Sequence, residues 1–294
     1  MKALEQTIQK LILNGTLTEC PGLFYGKTCI AVFFFHYARH TGNKLYRNYA
    51  FDLIEAIQEQ ITDSLSAQYN VGLAGIGAGF AYLLQNGFIE AEDSDFFEEV
   101  DDQMYRIALY KPYPDLGLKE GLTGWGRYFM YRMRGDGYKD SNIHKGLTYI
   151  AHEISRKIKN RKVTEKEQPD VFRFFRDLTS LPGYTEKYAN ALQQCISWKC
   201  INKPDIQTLF PYMNHLQRLH VCQNYFNLDL TAEIEKEWEE WGKSGKLEIP
   251  NQVREGKMEN NSQLDMGLLN GWTAEGLLYL TALDKTTLSW MNLL

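Results

Sequence analysis

The residue types best suited to metal chemistry cluster in two short stretches, "QQCISWKC" and "HLQRLHVCQ". Together they hold Cys195, Cys200, His215, His220 and Cys222. Thiolates and imidazoles are the usual ligands of zinc. On a helix, residues five apart point about 140° away from a shared face, so neither Cys195 and Cys200 nor His215 and His220 share one. His215 and Cys222, seven apart, do. Zinc ligands can converge from distant segments, so a site remains one reading. The other is buried cysteines and hydrogen-bonded or surface histidines on two helices.

Carboxylates offer a second chemistry. Asp115, Glu120 and Asp265 stand just before or within glycine-bearing turns, where an acid and a base could flank a glycosidic bond. The same positions suit helix capping and dipole complementation, the reading favoured here. Tyr25 and Asn270 stand immediately before a turn glycine, as Glu120 does, and become pocket-lining candidates if those turns gather at one end of the fold. His36 and His40 lie four apart in the apolar stretch "FFFHYARH", where His36 reads as a hydrogen-bonded core residue. His144 and His152 read as surface groups on a one-faced helix. No G-x-S-x-G and no H-E-x-x-H occurs.

The elements that must position these residues are helices. Apolar residues recur at helical spacing over Tyr46–Ile61, Phe96–Ala108, Ile143–Ile158 and Ile206–Leu219. Convincing alternating strands are scarce, and "YKPYP" (110–114) is a loop because its prolines cannot continue a helix. The charged run Arg156–Glu167 reads as a solvated helix end and a mobile loop. Lys243–Asn261 reads as a second loop.

One unit repeats. "GLFYGKTCIAVFF" at Gly26, "QYNVGLAGIGAGF" at Gly72, "GLKEGLTGWGRYF" at Gly121 and "GLLNGWTAEGLLY" at Gly271 share G-x-[TA]-x-x-[GA] followed by an apolar helix. Cys29 occupies the place of Gly75 and Gly124 in the sister copies and reads as a small packing residue. The first three copies recur at intervals of about 45 to 50 residues, each with an amphipathic helix between, so the unit is a helical hairpin. A phosphate-binding loop occurs once, after a strand; recurrence after helices points instead to architecture. Glycine at the start of a helix admits close approach of a neighbour. Helices apolar nearly all round form an inner layer and one-faced helices an outer one. Hairpins repeating this way close into an (α/α) barrel. The expected fold is all-α, a single (α/α)-barrel domain over residues 1–294, with six to seven hairpins of which one or more is reduced.

Bulk properties narrow the function. A net charge of −5 in 294 residues argues against broad nucleic-acid binding. No apolar run approaches a membrane span. The N-terminal "MKALEQTIQKLILNG" is an amphipathic helix and lacks a signal peptide's apolar stretch, which points to the cytoplasm. Five cysteines, an odd number in a chain read as unexported, argue against a disulfide framework.

The repeats resemble those of the lanthionine synthetase C-like (LanC-like) cyclases. "GLFYGKTCIAVFFFHYARHTG", "NVGLAGIGAGFAYLLQNGF" and "GLLNGWTAEGLLYL" are similar to the family's first, second and last glycine motifs, and "GLKEGLTGWGRYFMYR" to the third. The resemblance covers Gly22–Arg134 and Gly267–Leu283 and is poor from about Gly135 to Asn261. It implies an (α/α) toroid acting on ribosomally made peptides, in which a cysteine thiol adds to a dehydrated serine or threonine to close a thioether ring. In the family, zinc held by two cysteines and a histidine, in W-C-x-G and C-H-G motifs, deprotonates that thiol. This sequence contains neither motif; its nearest approach is "SWKC" at Ser197–Cys200. The resemblance therefore implies a divergent, zinc-less relative that binds a peptide or a modification-enzyme partner without catalysis. Two alternatives stay open. One is an active cyclase with a displaced zinc site drawn from Cys195, Cys200, His215, His220 and Cys222. The other is a carbohydrate-active barrel using Asp115, Glu120 or Asp265.

Overall fold

A computed structural model describes residues 2–90, 95–135, 139–244, 266–269, 271–284 and 288–294. Among them there are thirteen α-helices and no strand. The helices are α1 (Lys2–Gly15), α2 (Lys27–Thr41), α3 (Lys44–Gln58), α4 (Leu73–Gln85), α5 (Asp95–Tyr110), α6 (Leu122–Arg134) and α7 (Ser141–Lys159). They continue with α8 (Gln168–Thr179), α9 (Thr185–Ile196), α10 (Lys199–Asn202), α11 (His215–Phe226), α12 (Thr231–Ser244) and α13 (Trp272–Asp284). Two compact units result: Met1–Gln60 with Ile206–Leu294, and Ile61–Asp205.

In the first unit α2 packs on α3, α11 on α12, and α13 on both α1 and α2, so the end of the chain closes against its beginning. The α2 sequence "CIAVFFF" is buried on every side, whereas α3 buries only Ala50, Leu53, Ile54 and Ile57. Gly42 ends α2 in the left-handed region (φ 68°), its N–H donating to the Ala38 carbonyl. Asn43 then caps α3 by accepting from the Leu45 N–H at 3.0 Å. A final 3₁₀ turn, Ser289–Leu293, seats Trp290, whose indole N–H donates to Thr281 Oγ1 at 3.1 Å.

In the second unit α4 pairs with α5, α6 with α7, and α8 with α9, while α4 packs on α6 and α6 on α8. Asp101 of α5 receives Arg132 of α6 through Nε and Nη2 and also accepts from the Tyr128 hydroxyl, a buried ionic lock between the two helices. Burial pushes the Asp101 carboxyl upward and its Arg132 partner opposes the shift.

One expectation needs correction. Ile206–Leu219 is not one helix. Pro211 falls inside it, Phe210 takes φ 49°, and α11 begins only at His215. Its start is fixed by a reciprocal capping box between Asn214 and Gln217. The Arg218 guanidinium gathers the carbonyls of Gln207 (2.8 Å) and Met213 (3.0 Å), which holds the non-helical stretch in place. The charged run Arg156–Glu167 ends α7 and continues as a largely exposed loop, as expected. Arg161 turns the chain at φ 55°, and the Glu167 carboxylate accepts from the N–H groups of Thr164 and Leu116. Most of Lys243–Asn261 lies outside the described residues.

Candidate functional site

The glycine turns share one local design. Gly26, Gly72 and Gly121 each take an extended conformation as the N-cap of α2, α4 and α6. The next N–H reaches back to the carbonyl of the residue six before the glycine: Lys27 to Cys20 (2.9 Å), Leu73 to Ser66 (2.8 Å) and Leu122 to Asp115 (3.1 Å). A Cβ on the glycine would fall 2.3, 2.1 and 2.3 Å from those same carbonyl oxygens. Glycine is required by this fold-back.

The turns are also linked to one another. Counted from the motif glycine, the amide three before it donates to the carbonyl two before the glycine of the following motif. Tyr69 reaches Lys119 in the second unit and Leu268 reaches Phe24 in the first, both at 2.8 Å. Where a repeat lacks its glycine motif, side chains make the link. Leu118 N–H donates to Asp170 Oδ2 at 2.9 Å. Gln217 Nε2 and Asn214 Nδ2 donate to the carbonyls of Leu268 (2.9 Å) and Leu269 (3.3 Å). Five residues after the N-cap glycine stands Gly77, Gly126 or Gly276, covered by an aromatic ring of α6, α8 and α2 respectively. A Cβ there would meet Tyr128 at 2.4 Å, Phe174 at 2.3 Å and Phe33 at 2.5 Å.

Among the candidate residues beside these turns, Tyr25 is half-buried and packs edge-on to Phe24. Glu120 and Asp115 are exposed. Asp115 Oδ1 accepts from the Gly117 N–H at 2.8 Å, closing its own turn. Asp265 and Asn270 lie outside the described residues.

All five cysteines and six histidines fall within the described residues, and the cysteines are free thiols. Cys195 is buried on α9, and burial pushes its thiol upward. Cys200, half-buried on α10, donates to Gln168 Oε1 at 3.2 Å. His215 lies 3.9 Å from Glu237. His220, on the same helix, has no hydrogen-bond partner for Nε2, and burial lowers its pKa to about 4. Cys222 is buried. Cys29 sits between the first and last motifs, its Sγ 3.0 Å from the Gly26 carbonyl, and burial pushes its pKa up to about 12. Among the described residues no three His, Cys, Asp or Glu side chains are grouped so as to hold a metal.

A small pocket of about 10 Å³, room for about one water molecule, lies between α6 and α8 of the second unit. Its polar lining is Thr123, Arg127, Asp170 and Arg173, and its apolar walls are Leu118, Met130 and Phe174. Arg127 and Arg173 were not singled out from the sequence. In the sequence they share a repeat position, six residues after Gly121 and six after Glu167.

No family model and no curated protein matches the sequence. A search of solved structures finds nisin cyclase at a TM-score of 0.50 and 12% identity, covering 100% of this chain and 98% of that one. The fold is shared. It is all-α and of the (α/α)-barrel class, as the repeats led one to expect. Among the described residues the consecutive helices pair as α2/α3, α4/α5, α6/α7, α8/α9 and α11/α12, and α13 packs on α1. Among the described residues no helix is long and apolar enough to cross a membrane.

Proposed function

We propose that this chain is a LanC-like protein of peptide modification that binds a ribosomally made peptide, or the enzyme that modifies it, without the zinc chemistry of the cyclases. The observation that carries this reading is the whole-chain likeness to nisin cyclase, joined to a scaffold of glycine turns kept intact by direct hydrogen bonds. The dispersed thiols support the zinc-less part. Cys29 and Cys195 are buried, and burial raises both thiols, which makes them poor nucleophiles. Asp115 Oδ1 closes its own turn, so the carbohydrate-active alternative has little support at that residue.

The test uses purified full chain and a fluorescent peptide carrying one dehydroalanine and one cysteine. Zinc well below one equivalent by atomic spectroscopy, with saturable peptide binding and no loss of the peptide thiol, supports the reading. Thiol consumption with ring closure overturns the non-catalytic part. Absence of binding overturns the peptide part.

A further inference from the structure

We infer that the end of the first unit where α2 turns into α3 is a docking surface for an anionic lipid bilayer. The stretch Arg39–Arg47 carries Arg39, His40, Lys44 and Arg47, all exposed, and no acidic residue. The net charge of the whole chain is −5, so positive charge is concentrated here against the overall sign. Leu45, next to Lys44, is 73% exposed. A second leucine reaches the same end on α13. That helix runs parallel to α2, because the Leu268 amide meets the Phe24 carbonyl ahead of the two helices and Gly276 faces the Phe33 ring part-way along them. Leu283, in the last turn of α13, is 59% exposed. The turn that presents these groups is well fixed. Gly42 takes φ 68°, and Asn43 donates its N–H to Thr41 Oγ1 at 3.3 Å while its side chain caps Leu45. The Arg47 guanidinium lies 5.2 Å over the Phe51 ring. Lys44 and Arg47 also fill the first turn of α3, with no acid there, although the helix dipole disfavours cations at that end. A negative surface over the turn offsets that cost. The carboxylates that bear on this end, Glu5 of α1 and Asp52 of α3, act on Tyr37 and Tyr49, a turn or more behind the tip. Exposed leucines beside cations match the two layers of a bilayer boundary, acyl chains for the leucines and phosphate headgroups for the cations. A protein partner would need a separate pocket for each leucine, whereas a bilayer takes both without one.

The test is co-sedimentation of the full chain with vesicles of phosphatidylcholine alone or of phosphatidylcholine and phosphatidylserine in equal parts. Each lysine or arginine at an anionic surface is worth about fivefold in partition, so Arg39, Lys44 and Arg47 together predict about a hundredfold preference for the mixed vesicles. That preference should fall as added salt shortens the screening length. Lys44→Gln with Arg47→Gln should weaken binding about 25-fold. Leu45→Ser with Leu283→Ser should weaken it about tenfold and leave the salt dependence unchanged. All four side chains are exposed or, for Arg47, stacked on a surface ring, so these variants keep the fold. Lys187→Gln with Lys236→Gln, which removes two exposed cations elsewhere, should leave binding near the parent value. Equal binding to the two vesicle types, or none to either, overturns the inference. So does binding that survives loss of Lys44 and Arg47, or that falls as far in the Lys187 and Lys236 variant. A poly-glutamate peptide held through Lys44 and Arg47, with no vesicle binding, overturns the bilayer and assigns the surface to an acidic protein.

Discussion

The Leu118 amide donates to the Asp170 carboxylate at 2.9 Å in the place where, in sister repeats, the Tyr69 and Leu268 amides reach a backbone carbonyl of the next glycine turn. The α8 repeat has no such turn. Glu167 stands where the glycine would be, and its carboxylate takes the Leu116 N–H at 2.9 Å. The Asp170 side chain thus reproduces the link that a backbone carbonyl makes elsewhere. Asp170→Ala should leave the Leu118 amide without its acceptor and cost about 1–3 kcal/mol. Asp170→Asn, which keeps an acceptor, should cost less. Urea unfolding of both variants checks this, and equal losses would remove the hydrogen bond from the account.

The aromatic-over-glycine contact makes a prediction opposite in sign to helix propensity. Alanine is favoured over glycine inside a helix by about 1 kcal/mol. At Gly276 a Cβ would come within 2.5 Å of the Phe33 ring. Gly276→Ala should therefore destabilise, by about 1–3 kcal/mol net of overpacking. Phe33→Leu in the same chain should recover part of that loss, giving a coupling above about 0.5 kcal/mol in a double-mutant cycle. Strict additivity would show that the ring does not constrain the glycine.

Much of this architecture is legible in the sequence because glycine leaves a direct trace of backbone geometry. Gly26, Gly72 and Gly121 mark three fold-backs, and Gly77, Gly126 and Gly276 mark three ring contacts. The α8 and α11 repeats were opaque for the converse reason. Their links run through Asp170, Asn214 and Gln217, residue types common on any surface, and only the three-dimensional partner reveals the role. Periodicity also overran into Ile206–Met213, where a single guanidinium, Arg218, imposes a conformation that apolar spacing does not disclose. The arginine pocket escaped notice because its two cations lie in different repeats, and the repeat of Arg173 carries no glycine with which to align it.

Thiol chemistry checks the cysteine assignments. Cys29, Cys195 and Cys222 are buried, and Cys20 and Cys200 are part-exposed. At mildly alkaline pH a disulfide reagent should label Cys20 and Cys200 in the native state and all five thiols only after unfolding. Added zinc should leave the native labelling unchanged. Protection of Cys200 by stoichiometric zinc would instead revive a displaced metal site.

Arg218 should act as a clamp on the stretch before α11. Its guanidinium donates to the carbonyls of Gln207 and Met213. Arg218→Met keeps the aliphatic stem and removes both bonds. Hydrogen exchange at residues 206–213 should then quicken more than in α11 itself. Uniform acceleration would assign the loss to global stability.

His220 makes the pH dependence specific. Its Nε2 has no hydrogen-bond partner, its ring lies edge-on to Trp238 at 6.3 Å, and burial lowers its pKa from 6.5 to about 4. Between those values the folded chain binds fewer protons at this ring than the unfolded chain does. Its contribution to stability is thus whole above about pH 6.5 and is lost as the pH falls toward about 4. At 1.36 kcal/mol per unit the upper limit is roughly 3 kcal/mol. His220→Phe removes the titration and keeps an apolar ring in the site. Relative to the parent, the variant should therefore gain stability between about pH 7.5 and about pH 4.5. Other acid-sensitive groups act on both proteins and cancel in the difference. Parallel stability curves would mean that the ring is solvated or paired in solution, which would also remove the cause assigned to its lowered pKa.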